Sequence, residues 1–128
     1  MPNYERRPEP IKVHIPLSVE DSLKHTQVAN GLDISLFASE ELGLYSVIEI
    51  DWDERGRAWV IETRDYPNEL KPAELGKDRI RILEDTDGDG KADKAILFAD
   101  KLSIPTGMCF ARGGLIVQMA PHLSLIHI

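Results

Sequence analysis

Apolar and polar residues alternate with a period of two along most of this chain, and short turns interrupt the alternation. Val47–Trp52 alternates, Asp53-Glu54-Arg55-Gly56 reads as a turn, and Arg57–Thr63, rich in Trp59, Val60 and Ile61, reads as the returning strand. Residues 47–63 are therefore expected to form a tight hairpin. Arg79–Leu83 alternates Ile80 and Ile82 with arginines, Ala95–Phe98 is apolar, and an Asp/Gly loop separates the two, which predicts a second hairpin at 79–98. A third pair spans 104–118, with Ala111-Arg112-Gly113-Gly114 as its turn. Upstream, Leu32, Ile34 and Leu36 alternate with Asp33, Ser35 and Phe37 and predict another strand. Only one stretch reads as helix. Ser18 suits an N-cap, Glu20 and Asp21 fall in the first turn, and the helix is expected to run to about Gln27 before Asn30-Gly31 breaks it.

These elements predict an all-β chain of consecutive antiparallel hairpins with a short N-terminal helix. Two hairpins also resemble each other. In each, an apolar strand ends in an aromatic (Trp52, Phe110), a charged turn ends in glycine (Gly56, Gly114), and a second apolar strand follows. The two glycines lie 58 positions apart, a spacing that suits one blade of a β-propeller. Two unrelated hairpins in one sandwich are the alternative. One or two blades would leave apolar faces open, so Trp52 and Trp59 are both expected to be partly exposed.

Around this body the organisation is simple. Residues 1–16, with Pro2, Pro8, Pro10 and Pro16, form an extended lead-in without the apolar run of a signal peptide. Residues 17–122 form the β domain. Residues 123–128, Leu-Ser-Leu-Ile-His-Ile, resemble the translated end of a transposon adapter; on that reading the natural sequence stops at His122 and His127 has no role. A genuine terminal strand is the alternative. Asp65–Lys77, with Pro67, Pro72 and Gly76, reads as a long loop of the kind that carries function in compact domains.

Composition narrows the function. The 128 residues are 42% hydrophobic, enough for one folded domain. No apolar run approaches a membrane span, and arginines and lysines are scattered among acids, so neither a transmembrane segment nor a nucleic-acid surface is indicated. The single cysteine, Cys109, excludes an intrachain disulfide; set between Met108 and Phe110, it reads as a buried structural thiol. The net charge is −7, and Asp85, Asp87, Asp89 and Asp93 concentrate much of the excess in one loop.

That loop, Asp85-Thr86-Asp87-Gly88-Asp89-Gly90-Lys91-Ala92-Asp93, has the spacing of a calcium site. Calcium takes six to eight oxygens, and carboxylates at loop positions 1, 3 and 5 converge where the chain wraps the ion. Gly90 at position 6 permits the sharp turn, the Lys91 carbonyl falls at position 7, and Asp93 falls at position 9. An EF-hand needs Glu at position 12, where this chain has Ile96, and its flanks are strands, not helices. The loop resembles instead the DxDxDGxxD turns at hairpin tips in integrin α-chain propellers, in which the Asp at position 9 is a ligand. An acidic turn without metal is the alternative, and mutual repulsion of four carboxylates opposes it. Magnesium fits less well because it prefers fewer protein ligands and more water.

A second polar cluster, Glu62-Thr63-Arg64-Asp65-Tyr66-Pro67, sits where a strand becomes a loop. Glu62, Arg64, Asp65 and the distant His122 are the candidate catalytic residues. The plainer reading is an Arg64–acid salt bridge with a packed Tyr66. His14 and His25 have no partner spacing that marks them as ligands.

Taken together, Phe37-Ala38-Ser39-Glu40, Asp51–Arg57, Trp59-Val60, Glu62–Asn68, Asp85–Asp93, Phe98-Ala99-Asp100, Pro105-Thr106-Gly107 and Ala120-Pro121-His122 resemble the N-terminal propeller of the PVC-type haem-binding proteins, also called membrane-bound dehydrogenases. The likeness covers about residues 16–122 and departs at Leu44-Tyr45-Ser46-Val47, where a proline is expected before the strand. It implies part of a six-bladed TolB or glucose/sorbosone dehydrogenase-like propeller in a periplasmic or extracellular protein. The implied activity is oxidation of a sugar or alcohol, with electrons passing to a c-type haem in a C-terminal domain. This chain has no CxxCH, so haem would belong to that other domain, and a quinone cofactor is left open. The remaining blades of the parent protein are the implied partners, and the segment alone is expected to be inactive. The alternative is a non-catalytic propeller that binds a glycan or a protein and uses calcium structurally.

Overall fold

The computed structural model describes residues 15–67, 70–72 and 74–128, and the chain divides into two units, Met1–Ile34 and Ser35–Ile128. Most of the proline-rich lead-in, and His14 with it, lies outside the described residues.

In the first unit the helix is α1, Val19–His25. Ser18 caps it as the sequence indicates: its Oγ accepts the Asp21 N–H at 3.1 Å and donates to Asp21 Oδ2 at 2.8 Å. The helix ends before Gln27 because Thr26 turns to extended backbone, its N–H donating to the Leu23 carbonyl and its hydroxyl to the Ser22 carbonyl. No residue of α1 is buried, so capping and the 2.8 Å Glu20–Lys24 pair support it, not packing.

The second unit is β-rich. Strands β1 (Val47–Trp52), β2 (Ala58–Glu62), β3 (Asp78–Glu84) and β4 (Lys94–Leu102) form one antiparallel sheet in sequence order. Strands β5 (Pro105–Ala111), β6 (Gly114–Met119) and β7 (His122–His127) form a second. The three expected hairpins are all present. Residues 122–127 form β7, paired along its length with β6.

Period-two geometry assigns each strand's side chains to two faces. On β2 and β3, Trp59, Ile61, Ile80 and Ile82 point to one side and meet Leu115 and Val117 of β6 in a common core. Phe98 and Phe110 pack edge-on against Trp59, at centroid distances of 4.6 and 5.2 Å. Trp59 is wholly buried there, so only Trp52, 51% exposed, shows the exposure expected of both tryptophans. Met108 and Phe110 join this core, and the same alternation turns Cys109 between them away from it. The thiol is exposed, a correction to its reading as a buried structural group.

The opposite face of the first sheet carries Ala58, Val60 and Leu83, and Ala92 from the β3–β4 loop joins them. Phe37, Ala38, Leu42 and Leu44 cover it. This covering segment replaces the strand expected at 32–37: residues 32–39 form no strand. Of their apolar positions Phe37 and Ala38 sit against a sheet face without ladder pairing, while Leu32 and Ile34 are exposed; the Phe37 carbonyl accepts the Ala92 N–H at 2.7 Å. Gly76 marks a close backbone approach, tighter than at the other described glycines. A Cβ there would lie 1.7 Å from the Leu102 carbonyl oxygen, so only glycine lets the 74–77 segment pass the end of β4.

Candidate metal site

The Asp85–Asp93 loop joins β3 to β4 at the tip of their hairpin. One carboxylate oxygen from each of Asp85, Asp87 and Asp89 lies within 4.8 Å of the other two. The backbone enforces this convergence. Asp85 Oδ1 accepts the Gly88 N–H at 2.7 Å and Oδ2 the Gly90 N–H at 2.9 Å, so the chain curls around the first carboxylate. Asp87 Oδ1 accepts the Asp89 N–H and Asp89 Oδ1 the Lys91 N–H, at 3.2 and 2.8 Å. Gly88 and Gly90 have φ of 80° and 88°, the left-handed region that side-chain-bearing residues resist. Amide bonds, with Gly90 first, hold the Asp85 carboxyl below its ordinary range despite an opposing burial effect.

Asp93 does not belong to the group of three. Its Oδ2 accepts from the Thr86 hydroxyl at 2.7 Å and the Thr86 N–H at 3.2 Å, closing the base of the loop. Lys91 is exposed. The donor set of the converging group is all carboxylate oxygen, which suits a hard divalent cation. Oxygens at 2.3–2.6 Å from a calcium ion lie at most about 5 Å apart, so the observed span is compatible with that ion.

Ion pairs tie the strands below the loop to the β1–β2 turn. Glu84 bonds Lys94 at 3.0 Å and Arg57 at 3.3 Å, and Arg57 Nε reaches Asp53 Oδ2 at 2.7 Å. Asp53 organises its turn: Oδ1 accepts the Arg55 and Arg57 N–H groups, and Oδ2 accepts the Trp59 indole N–H at 3.0 Å. Burial opposes ionisation of Asp53, but these bonds, with Trp59 first, outweigh it and hold its carboxyl at about 2 against an ordinary 3.8. A carboxyl lowered by folding contributes stability above 3.8 that disappears as pH falls through about 2. The difference corresponds to about 2 kcal/mol, reduced by solvent screening at this turn to about 1 kcal/mol. Asp53→Asn is therefore expected to flatten the pH dependence of the urea midpoint between 3.8 and about 2. A variant whose acid unfolding profile retains the parent's slope would contradict this assignment.

The candidate catalytic residues are placed differently from one another. Glu62 is fully buried: Arg79 and Arg81 each donate Nε to its Oε2 at 2.8 Å, and Oε1 accepts the Tyr45 N–H at 2.8 Å. Arg81 also donates to the Leu42 carbonyl and Arg79 to the Gly43 carbonyl, so this cluster staples the 37–45 segment to the sheet. Asp65 is buried, paired with Lys71 and bonded to the Lys77 N–H at 2.8 Å; Lys71 is the main cause of its lowered carboxyl pKa. Arg64 makes no salt bridge among the described residues. Its guanidinium lies 3.9 Å from the Tyr45 ring centroid, while Tyr66 is 61% exposed and not packed. His122 is exposed and lines an open cleft of about 660 Å³ with Lys71, Pro72, Asp100 and Ser103. Glu62 is not in that cleft, so the four residues do not form one constellation.

A family model described as a domain of unknown function, DUF7133, matches residues 18–127. The chain belongs to DUF7133. No curated protein and no solved structure matches it. Within this DUF7133 chain one heavily bonded carboxylate is not singled out by the sequence pattern. Asp78, fully buried at the start of β3, accepts from the Thr63 hydroxyl, the Arg64 and Asp65 N–H groups and the Ile104 N–H, at 2.6–3.0 Å. It fixes the corner between β2 and the long loop, and the corner between β4 and β5, on one side chain. The only local signal is an acid opening an Arg/Ile alternation directly after Gly76-Lys77.

Proposed function

We propose that this chain supplies the opening blades of an extracytoplasmic β-propeller in which one calcium ion pins the β3–β4 hairpin. The observation that carries the metal reading is the convergence of Asp85, Asp87 and Asp89 at the hairpin tip. The propeller reading draws on strand order. A four-stranded antiparallel meander in sequence order is the build of a blade, and the next sheet begins with β5 beside β1, so first strand neighbours first strand as around a propeller axis. Among the described residues no helix is long and apolar enough to cross a membrane.

Asp85, Asp87 and Asp89 hold the ion in this reading, and Asp93 keeps the loop closed through Thr86. The ion offsets carboxylate repulsion and so stabilises the hairpin. The dehydrogenase activity implied by the family resemblance, on a sugar or alcohol with a c-type haem domain as electron acceptor, belongs in this reading to other parts of the parent protein. Glu62 and Asp65 are both committed to internal ion pairs. That commitment favours a second reading, a non-catalytic propeller that binds a glycan or protein with calcium as a structural ion.

Isothermal calorimetry with calcium tests the metal. One ion per chain is expected, at 10⁻⁴–10⁻³ M or tighter, the range of extracellular calcium modules. Asp87→Ala is expected to weaken binding by at least about tenfold. No heat at millimolar calcium, or equal binding by the variant, would remove the site.

A further inference from the structure

We propose that Arg64 is the anchor of a small-oxyanion site at the end of the first sheet opposite the β3–β4 tip. The case begins with how the side chain is held. Tyr45 is flanked by two guanidinium groups, Arg64 at 3.9 Å and Arg79 at 4.4 Å from the ring centroid. The ring itself is fixed, because its hydroxyl donates to the Lys77 carbonyl at 3.0 Å and its N–H to Glu62. Arg64 is fixed from the other side by its own N–H, which donates to Asp78 Oδ1 at 2.6 Å.

The two arginines then differ. Arg79 directs its donors to Glu62 and the Gly43 carbonyl. The Arg64 side chain makes no hydrogen bond among the described residues and is exposed. Its planar fork is thus positioned against the Tyr45 ring on an exposed residue. Arginine retains its charge at any ordinary pH and pairs bidentately with carboxylate or phosphate oxygens. Stacking beforehand lowers the rotamer entropy lost on binding. The charge balance favours an anion as well. Arg79 and Arg81 are both paired with Glu62, so Arg64 is the guanidinium at this corner that has no ion pair among the described residues. The ligand class is a small carboxylate or phosphate monoester, and the site is independent of the metal loop.

Titration with sodium acetate and, separately, inorganic phosphate tests this, with sodium chloride at matched ionic strength as the control for screening. The readout is the Arg64 Nε–Hε resonance in the ¹⁵N-labelled chain. A saturable shift with acetate or phosphate, absent with chloride, is expected; the anion that saturates at lower concentration identifies the oxyanion. Arg64→Lys keeps the charge and removes the fork; measured by the Tyr45 amide resonance, it is expected to weaken the response about tenfold. The proposal is overturned if the parent responds to all three salts alike, or if Arg64→Lys binds as the parent does.

Discussion

Asp78→Ala is expected to destabilise the protein by about 4 kcal/mol, because hydrogen bonds to a charged group each contribute about 1.5–3 kcal/mol and the orphaned donors lose part of that gain. Four donors from two separate places, residues 63–65 and Ile104, converge on this one carboxylate: the Thr63 hydroxyl, the Arg64 and Asp65 N–H groups, and the Ile104 N–H. Truncation leaves the backbone donors among them near a void with no acceptor. Asp78→Asn separates charge from geometry. The Asn oxygen can keep one pair of bonds, either Oδ1's from Arg64 and Asp65 or Oδ2's from Thr63 and Ile104, while its amide then faces donors. It should therefore cost less than Ala but remain destabilising. Urea denaturation measures both, with a lower midpoint at an unchanged slope as the expected form. An Ala variant within about 1 kcal/mol of the parent would show that these corners hold without their common acceptor.

Glu62→Gln is expected to cost about 3–5 kcal/mol, the range for removing one partner of a buried ion pair. Among the described residues Glu62 is the counter-charge of both Arg79 and Arg81, and Arg81 is itself buried. The damage should not stop at the sheet. Those arginines also bond the Leu42 and Gly43 carbonyls, so losing their anchor loosens the segment over Ala58, Val60 and Leu83. Amide hydrogen exchange reports this directly. The Tyr45 and Ala92 N–H groups, bonded to Glu62 and to the Phe37 carbonyl, should lose protection in the variant. Unchanged protection at Ala92 would mean that the apolar contacts of Phe37 and Leu42 hold the segment unaided.

Much of this architecture is legible in the chain because its signals are local. The turn at Asp53–Gly56, the alternation in β2 and the aspartates of the β3–β4 loop can each be read within a dozen residues. Ser18 capping α1 is equally local. Leu32–Phe37 carries the same alternation as a strand, yet alternation specifies only which side chains share a face and not that a partner strand offers hydrogen bonds. Arg79 and Arg81 alternate with isoleucines in the manner of a solvent-facing edge, but Glu62, seventeen residues earlier than Arg79, draws them onto a covered face. Asp78 joins partners on both sides of it at separations up to twenty-six residues. No window along the sequence contains such a convergence. The loop carboxylates show the same division: Asp85, Asp87 and Asp89 gather, while Asp93 serves Thr86.

The segment over the first sheet also imposes an order on folding. Residues 37–45 leave the ribosome before every strand, yet their anchors, Arg79, Arg81 and Ala92, emerge 36 to 55 residues after the groups they hold. Each hairpin of the meander can close over a short loop as soon as it is made, at small entropic cost. The segment cannot dock until β3 has paired and the β3–β4 loop has formed. During synthesis Val60 and Ala58 therefore remain open to water, and to other nascent chains, longer than any distance in the finished fold suggests.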